Sequence, residues 1–177
     1  DKMQLPLIWI DHHDVQVDEE IKKFSNILIY NPTLNKGKEK SSEPVTYLSY
    51  KITNRQEDMW IAVMGCVADH YIPEFILEFT KEYPEFWVKN FKTKKPFDIY
   101  YKTEIGRIAQ ALSFGLKDSI SHVVAMQNFL INCKNPNEVF MEVENNGSFR
   151  EKYGEIRKKY DILIEKAREC WSGNLLF

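Results

Sequence analysis

Two short stretches carry the strand pattern. Pro6 to Ile10 is continuously apolar and rich in β-favouring residues, which predicts a strand covered on both faces. Ile27 to Tyr30 repeats the pattern more briefly and stops at Asn31-Pro32. From Thr33 to Ser42 nothing is periodic, and this Lys-, Asn- and Gly-rich stretch reads as a loop. Ser42-Glu43-Pro44 then predicts a helix start: a hydroxyl cap, an acid in the first turn, and a proline where its missing N–H does no harm. Helices are expected at roughly 43–54, 57–68 and 74–82, the last opened by Pro73. The stretch from Asp98 to Lys102 fits neither period clearly.

The second half is helical throughout. Ile105, Ile108, Leu112 and Leu116 share one face, and Ile120, Val123, Val124, Leu130 and Ile131 do much the same before Asn135-Pro136 interrupts. Phe149, Tyr153, Ile156, Tyr160, Leu163 and Ala167 form an apolar stripe along a long, otherwise charged helix, which reads as a packing seam. Strands first and helices afterwards predict an α/β unit followed by a helical region. The tail from Trp171 to Phe177 reads as the start of another extended element, and the whole as a piece of a longer protein.

Composition narrows the class. The 177 residues fit one domain or one domain with part of another, and 44% hydrophobic with 14% aromatic residues suffices for a substantial core. Basic and acidic residues nearly balance at 24 and 26, so net charge makes no case for nucleic acid. Local basic stretches at Lys36, Lys38 and Lys40, and at Lys89, Lys92, Lys94 and Lys95, read as solvated surface, with a phosphate-tracking edge as the alternative. Cys66, Cys133 and Cys170 are odd in number and widely spaced. They argue against a disulfide framework or a four-thiolate zinc site and predict a reducing, cytoplasmic setting. No window approaches about 18 uninterrupted apolar residues, so no membrane span is expected.

Chemistry concentrates at two places. Asp11-His12-His13 follows the first strand, and Asp69-His70 ends the apolar run Met59 to Ala68; the fourth histidine is His122. Imidazole and carboxylate together suit divalent transition metals. A strand at residues 6–10 delivers Asp11, His12 and His13 to the carboxyl end of a parallel sheet, where ligands bind. Adjacent side chains on extended backbone point apart, so one imidazole can face a metal and the other substrate or a carboxylate. Asp11 can hold a histidine tautomer or accept from backbone amides. The bland alternative is a solvated Asp11-His12-His13-Asp14 surface turn.

Asp69 stands at a helix C-terminus, the negative end of the macrodipole, where it calls for a nearby cation. A divalent ion shared with His12 answers that, as does a lysine or arginine. Gly65 permits close approach of a backbone or a ligand. His70 reads as a supporting or merely exposed residue, and His122 as a satisfied core or interface histidine. One imidazole and two carboxylates do not complete a two-metal hydrolytic site.

Leu7-Ile8-Trp9-Ile10 running into Asp11-His12-His13, followed by Gly65-Cys66-Val67-Ala68-Asp69, resembles the DHH phosphoesterase superfamily. Pro44 to Tyr50 and Asp69 to Phe75 give it the look of archaeal RecJ-like DHH proteins, and the likeness covers residues 5 to about 80. The resemblance implies a parallel-sheet α/β DHH-type domain, partial over residues 1–96, a helical connector over 97–171 and the start of a C-terminal domain at 172–177. It implies two divalent ions, usually Mn²⁺ (or Mg²⁺), and a metal-bridging water that attacks phosphorus.

By position the resemblance implies that His12 and Asp69 share one ion, that His13 lies near the scissile phosphate or behind the metal ligands, and that Asp11 orients the motif. Substrates implied are single-stranded nucleic acid, short oligonucleotides or small nucleotides. The paired-aspartate and single-aspartate motifs expected before the DHH strand are absent, as is the glycine-rich phosphate motif, so this stretch alone is expected to be inactive. A non-catalytic DHH-derived scaffold and a pyrophosphatase are the competing readings.

Overall fold

The structure is a computed structural model and describes residues 5–14, 21–34, 42–87, 95–141, 146–172 and 175–176. Strands β1 (Leu7–Ile10) and β2 (Ile27–Tyr30) pair in parallel, Leu7 opposite Ile27 through Ile10 opposite Tyr30. The Leu7 N–H donates to Asn26 O and the Asp11 N–H to Tyr30 O, which extends the ladder into the segment after β1. The parallel pairing follows the expectation; the burial does not. Leu7 is 53% exposed and Ile8 and Leu28 each 63%, so the strands are not covered on both faces. An apolar run encodes the tendency to be extended and covered, but the covering layer must come from other residues, and here the helices pack elsewhere.

Helix α1 (Val45–Thr53) begins two residues later than expected. Pro44, not Ser42, occupies its cap position, with extended backbone and no side-chain hydrogen bond. A proline whose φ is already near −60° starts the helix on geometry alone. A single 3₁₀ turn at Gln56–Asp58 leads into α2 (Met59–Ala68), whose Met59, Trp60, Ala62, Val63, Met64, Cys66 and Val67 are buried, as an all-apolar helix requires.

Then follow α3 (Ile76–Glu82), α4 (Pro96–Lys102) and α5 (Glu104–Gly115). The undecided stretch at 98–102 is therefore helical, opened by Pro96 and anchored by buried Ile99. Thr103 caps α5 by accepting from the Gly106 N–H.

Two faces differ from the pattern. Leu116 lies past the end of α5 and is exposed, while Ile105, Ile108 and Leu112 are buried as expected. In α6 (Ile120–Asn132) the buried residues are Met126 and Phe129; Ile120, Val124 and Ile131 face outward. Along α7 (Gly147–Glu169) Phe149 is buried, Tyr153 packs on the core and Tyr160 meets the Phe114 ring, but Leu163 is exposed, so the seam has partners only as far as Tyr160.

One core runs from Tyr50 through α2 to Phe149, with α2 at its centre. The tail forms a short antiparallel ladder, β3 (Trp171–Ser172) with β4 (Leu175–Leu176), the extended element expected there. The chain is thus mostly helical with a small parallel sheet, an α/β mix in the coarse sense. Among the described residues no helix is long and apolar enough to cross a membrane.

Candidate functional site

The site begins where β1 ends. Asp11 Oδ1 accepts from the His12 N–H at 2.7 Å, from the His13 N–H at 3.2 Å and from His13 Nδ1 at 2.7 Å. Both roles open to this carboxylate, holding an imidazole and satisfying backbone amides, fall to it at once. The His13 hydrogen bond is the main reason that its carboxyl group is held below the usual aspartate range. His13 points outward, its ring set edge-on to that of His12 at 4.4 Å between centroids.

A second clamp comes from the residues after β2. Asn31 Nδ2 donates to the His13 carbonyl at 2.9 Å. Thr33 Oγ1 stands 3.2 Å from the same carbonyl and 2.7 Å from Asn31 Oδ1, sharing its one proton between two acceptors. The Thr33 N–H donates to Asn31 Oδ1 at 2.9 Å, and both side chains are buried. Asn31 and Thr33 are the site residues that the sequence pattern did not single out. The signal was there: polar residues of turn-forming type directly after a strand seek nearby backbone groups.

Asp69 arrives from the opposite direction, at the end of α2. The Tyr71 N–H donates to Cys66 O at 2.8 Å and the His70 N–H to Val67 O at 3.1 Å. These two bonds make a Schellman ending with His70 in the left-handed region at φ 55°. The turn leaves Asp69 exposed at the negative end of the helix. The side chain that approaches it is His12, with Nε2 3.9 Å from Asp69 Oδ2 and side chains 16% and 45% exposed. No lysine or arginine takes that place among the described residues.

The separation sets the chemistry. Bonds of about 2.0–2.2 Å from one ion to a nitrogen and to an oxygen span at most about 4.3 Å. A single divalent ion can therefore touch His12 Nε2 and Asp69 Oδ2 together, and the donor set of one imidazole and one carboxylate suits it. Among the described residues no group of three or more His, Cys, Asp or Glu is gathered for a metal. Cys66 contributes nothing: it is buried, and burial pushes its thiol up to about 12.

Two histidines stand apart. His122 is not a core residue; it is exposed in the first turn of α6, its Nδ1 2.9 Å from Asp118 Oδ2. Of the apolar residues beside it, Ile120 and Val124 face outward too, which is why the pattern misplaced it. His70 is exposed beside Asp69 and packs against the rings of Phe97 and Tyr100. The basic residues Lys36, Lys38, Lys40, Lys89, Lys92 and Lys94 lie outside the described residues. No family model, no curated protein and no solved structure matches this chain.

Proposed function

We propose that this chain carries part of a DHH-type, divalent-metal phosphoesterase site, acting on phosphodiester bonds of single-stranded nucleic acid, short oligonucleotides or small nucleotides. The observation that carries the reading is the 3.9 Å approach of His12 Nε2 to Asp69 Oδ2 from positions far apart in the chain. A carboxylate at a helix C-terminus gains little from its own helix, so a cation beside it accounts for its place. His12 and Asp69 would hold a Mn²⁺ or Mg²⁺ ion, with the remaining ligands supplied from outside the described residues.

Such an ion supplies Lewis acidity and a water of lowered pKa. The chain's own residues do the positioning. Asp11 fixes the backbone of both histidines and the ring of His13. Asn31 and Thr33 hold the His13 carbonyl, so the His12 side chain is presented from a braced loop. With Nδ1 bound to Asp11, the outward Nε2 of His13 is the atom that would face a phosphoryl oxygen.

Calorimetric titration of the protein with Mn²⁺ tests this. Binding is expected, and His12→Ala and Asp69→Ala should each weaken it at least about tenfold. Unchanged Mn²⁺ affinity in both variants would overturn the assignment.

A further inference from the structure

From the exposed rings that gather at His70, the residue after Asp69, we infer that His70, Phe97 and Tyr101 form a stacking platform for a nucleobase, next to the phosphate end of the site. The inference rests on the phosphoesterase reading for the phosphate end, but the platform stands on its own geometry. Helix α4 packs on the core through Ile99, which is 1% exposed. Phe97 and Tyr101, four residues apart on one side of that helix, remain 61% and 46% exposed. Their rings lie 4.6 Å apart at a tilt of 49°. The His70 ring is 5.6 Å from Phe97 and 5.4 Å edge-on to Tyr100. Phe97 and Tyr101 are thus left in solvent on a helix that buries another face, with the exposed His70 ring, from the turn after α2, beside Phe97.

The link to the site is covalent. His70 follows Asp69 directly and holds a left-handed backbone at φ 55°, a conformation that a side chain bearing Cβ adopts at a cost. Phe97 has no polar atom, so recognition by hydrogen bonds is not its task; a flat apolar face suits a planar, polarisable partner. A nucleotide offers such a face one sugar away from its phosphate. Base stacking on aromatic side chains tolerates any sequence, which suits an enzyme that must accept whichever base comes next.

Calorimetry in the presence of Mn²⁺ compares adenosine 5′-monophosphate with ribose 5-phosphate, on the wild-type protein and on a Phe97→Leu/Tyr101→Leu variant. Both substituted residues are exposed, so the fold should persist, and circular dichroism checks that it does. Wild type is expected to prefer the base-bearing ligand by about tenfold or more. The variant should lose that preference while its ribose 5-phosphate and Mn²⁺ affinities stay the same. Equal affinities in wild type, or a preference that survives in the variant, overturn the platform and leave the metal reading untouched. A base preference that the variant abolishes, in a protein that binds no Mn²⁺, upholds the platform and removes the metal reading. Binding of neither ligand removes the platform as well.

Discussion

Asn31 Nδ2 donates to the carbonyl oxygen of His13 across 2.9 Å, and this bond ties the residues after β2 to the loop that leaves β1. Through it, Asn31 braces the loop that carries His12 and His13. Replacing Asn31 by alanine strips the His13 carbonyl of a donor and the Thr33 N–H of its acceptor in a buried place. A loss of about 1–3 kcal/mol is expected in the urea midpoint. Mn²⁺ affinity should fall about 10–100-fold although both proposed ligands remain. A variant with reduced stability and wild-type Mn²⁺ affinity would show that the clamp serves folding only.

Gly65 lies where α1 presses on α2. A Cβ built there would stand 2.6 Å from Thr46 Oγ1. In an open helix Gly→Ala gains up to about 1 kcal/mol, but Thr46 is β-branched and its χ1 has little freedom to turn away. Overpacking therefore wins, and Gly65→Ala should cost about 1–3 kcal/mol in thermal unfolding. Adding Thr46→Ala clears the space and should recover most of the loss, which separates a steric cause from any other. The same substitution pushes on the helix that ends in Asp69, so the single variant should also lose Mn²⁺ affinity.

The α6 helix gives a sharp contrast between two faces. Met126 and Phe129 are buried, whereas Ile120 is 84% exposed. Phe129→Ala should destabilise by about 3–5 kcal/mol and Met126→Ala by about 2–5, while Ile120→Ala stays within about 0.5. Equal losses at Ile120 and Met126 would mean that the outward face is covered in solution.

That helix also marks how far the sequence could be read. An unbroken apolar run located α2, and hydrophobic periodicity located α5 and α7 as far as Tyr160, because each had a partner to bury it. In α6 apolar residues lie on both sides, and only packing against the core chose Met126 and Phe129 over Ile120, Val124 and Ile131. The strands had the same defect: Leu7-Ile8-Trp9-Ile10 reports extended propensity and says nothing of what covers it. At the site, His12 and Asp69 could be paired from residue chemistry and helix electrostatics, and their side chains do meet. Asn31 and Thr33 could be read as residues seeking backbone groups, but their partner, the His13 carbonyl, depends on β2 pairing beside β1, a long-range fact.

The three cysteines should divide by accessibility. Cys66 and Cys133 are buried, and burial pushes their thiols up to about 12 and about 11; Cys170 is exposed. The thiolate is the reacting species. A thiol reagent at pH 8 should therefore label Cys170 quickly and the other two only after denaturant is added. Mass spectrometry of the labelled peptides decides the matter. Labelling of Cys66 at the rate of Cys170 in the native protein would show that α2 is not packed as described.

Asp118 is one of the carboxyl groups that give stability a dependence on pH. His122 Nδ1 and the Ser119 N–H both reach its carboxylate, at 2.9 and 2.7 Å, and the His122 contact comes first in holding its carboxyl below the usual aspartate value. The folded value is thus lower than the unfolded one. The sign follows: the contribution is fully present above the unfolded value of about 3.9 and fades as pH falls through the folded one. A carboxyl-carbon NMR titration should place the Asp118 midpoint below that of a free aspartate. His122→Ala should move the midpoint upward while leaving the Ser119 contact in place. The difference in Tm between wild type and Asp118→Asn should accordingly shrink only below about pH 4. If the midpoint is indifferent to His122→Ala, the imidazole does not hold this carboxylate, and the first turn of α6 is pinned by Ser119 alone.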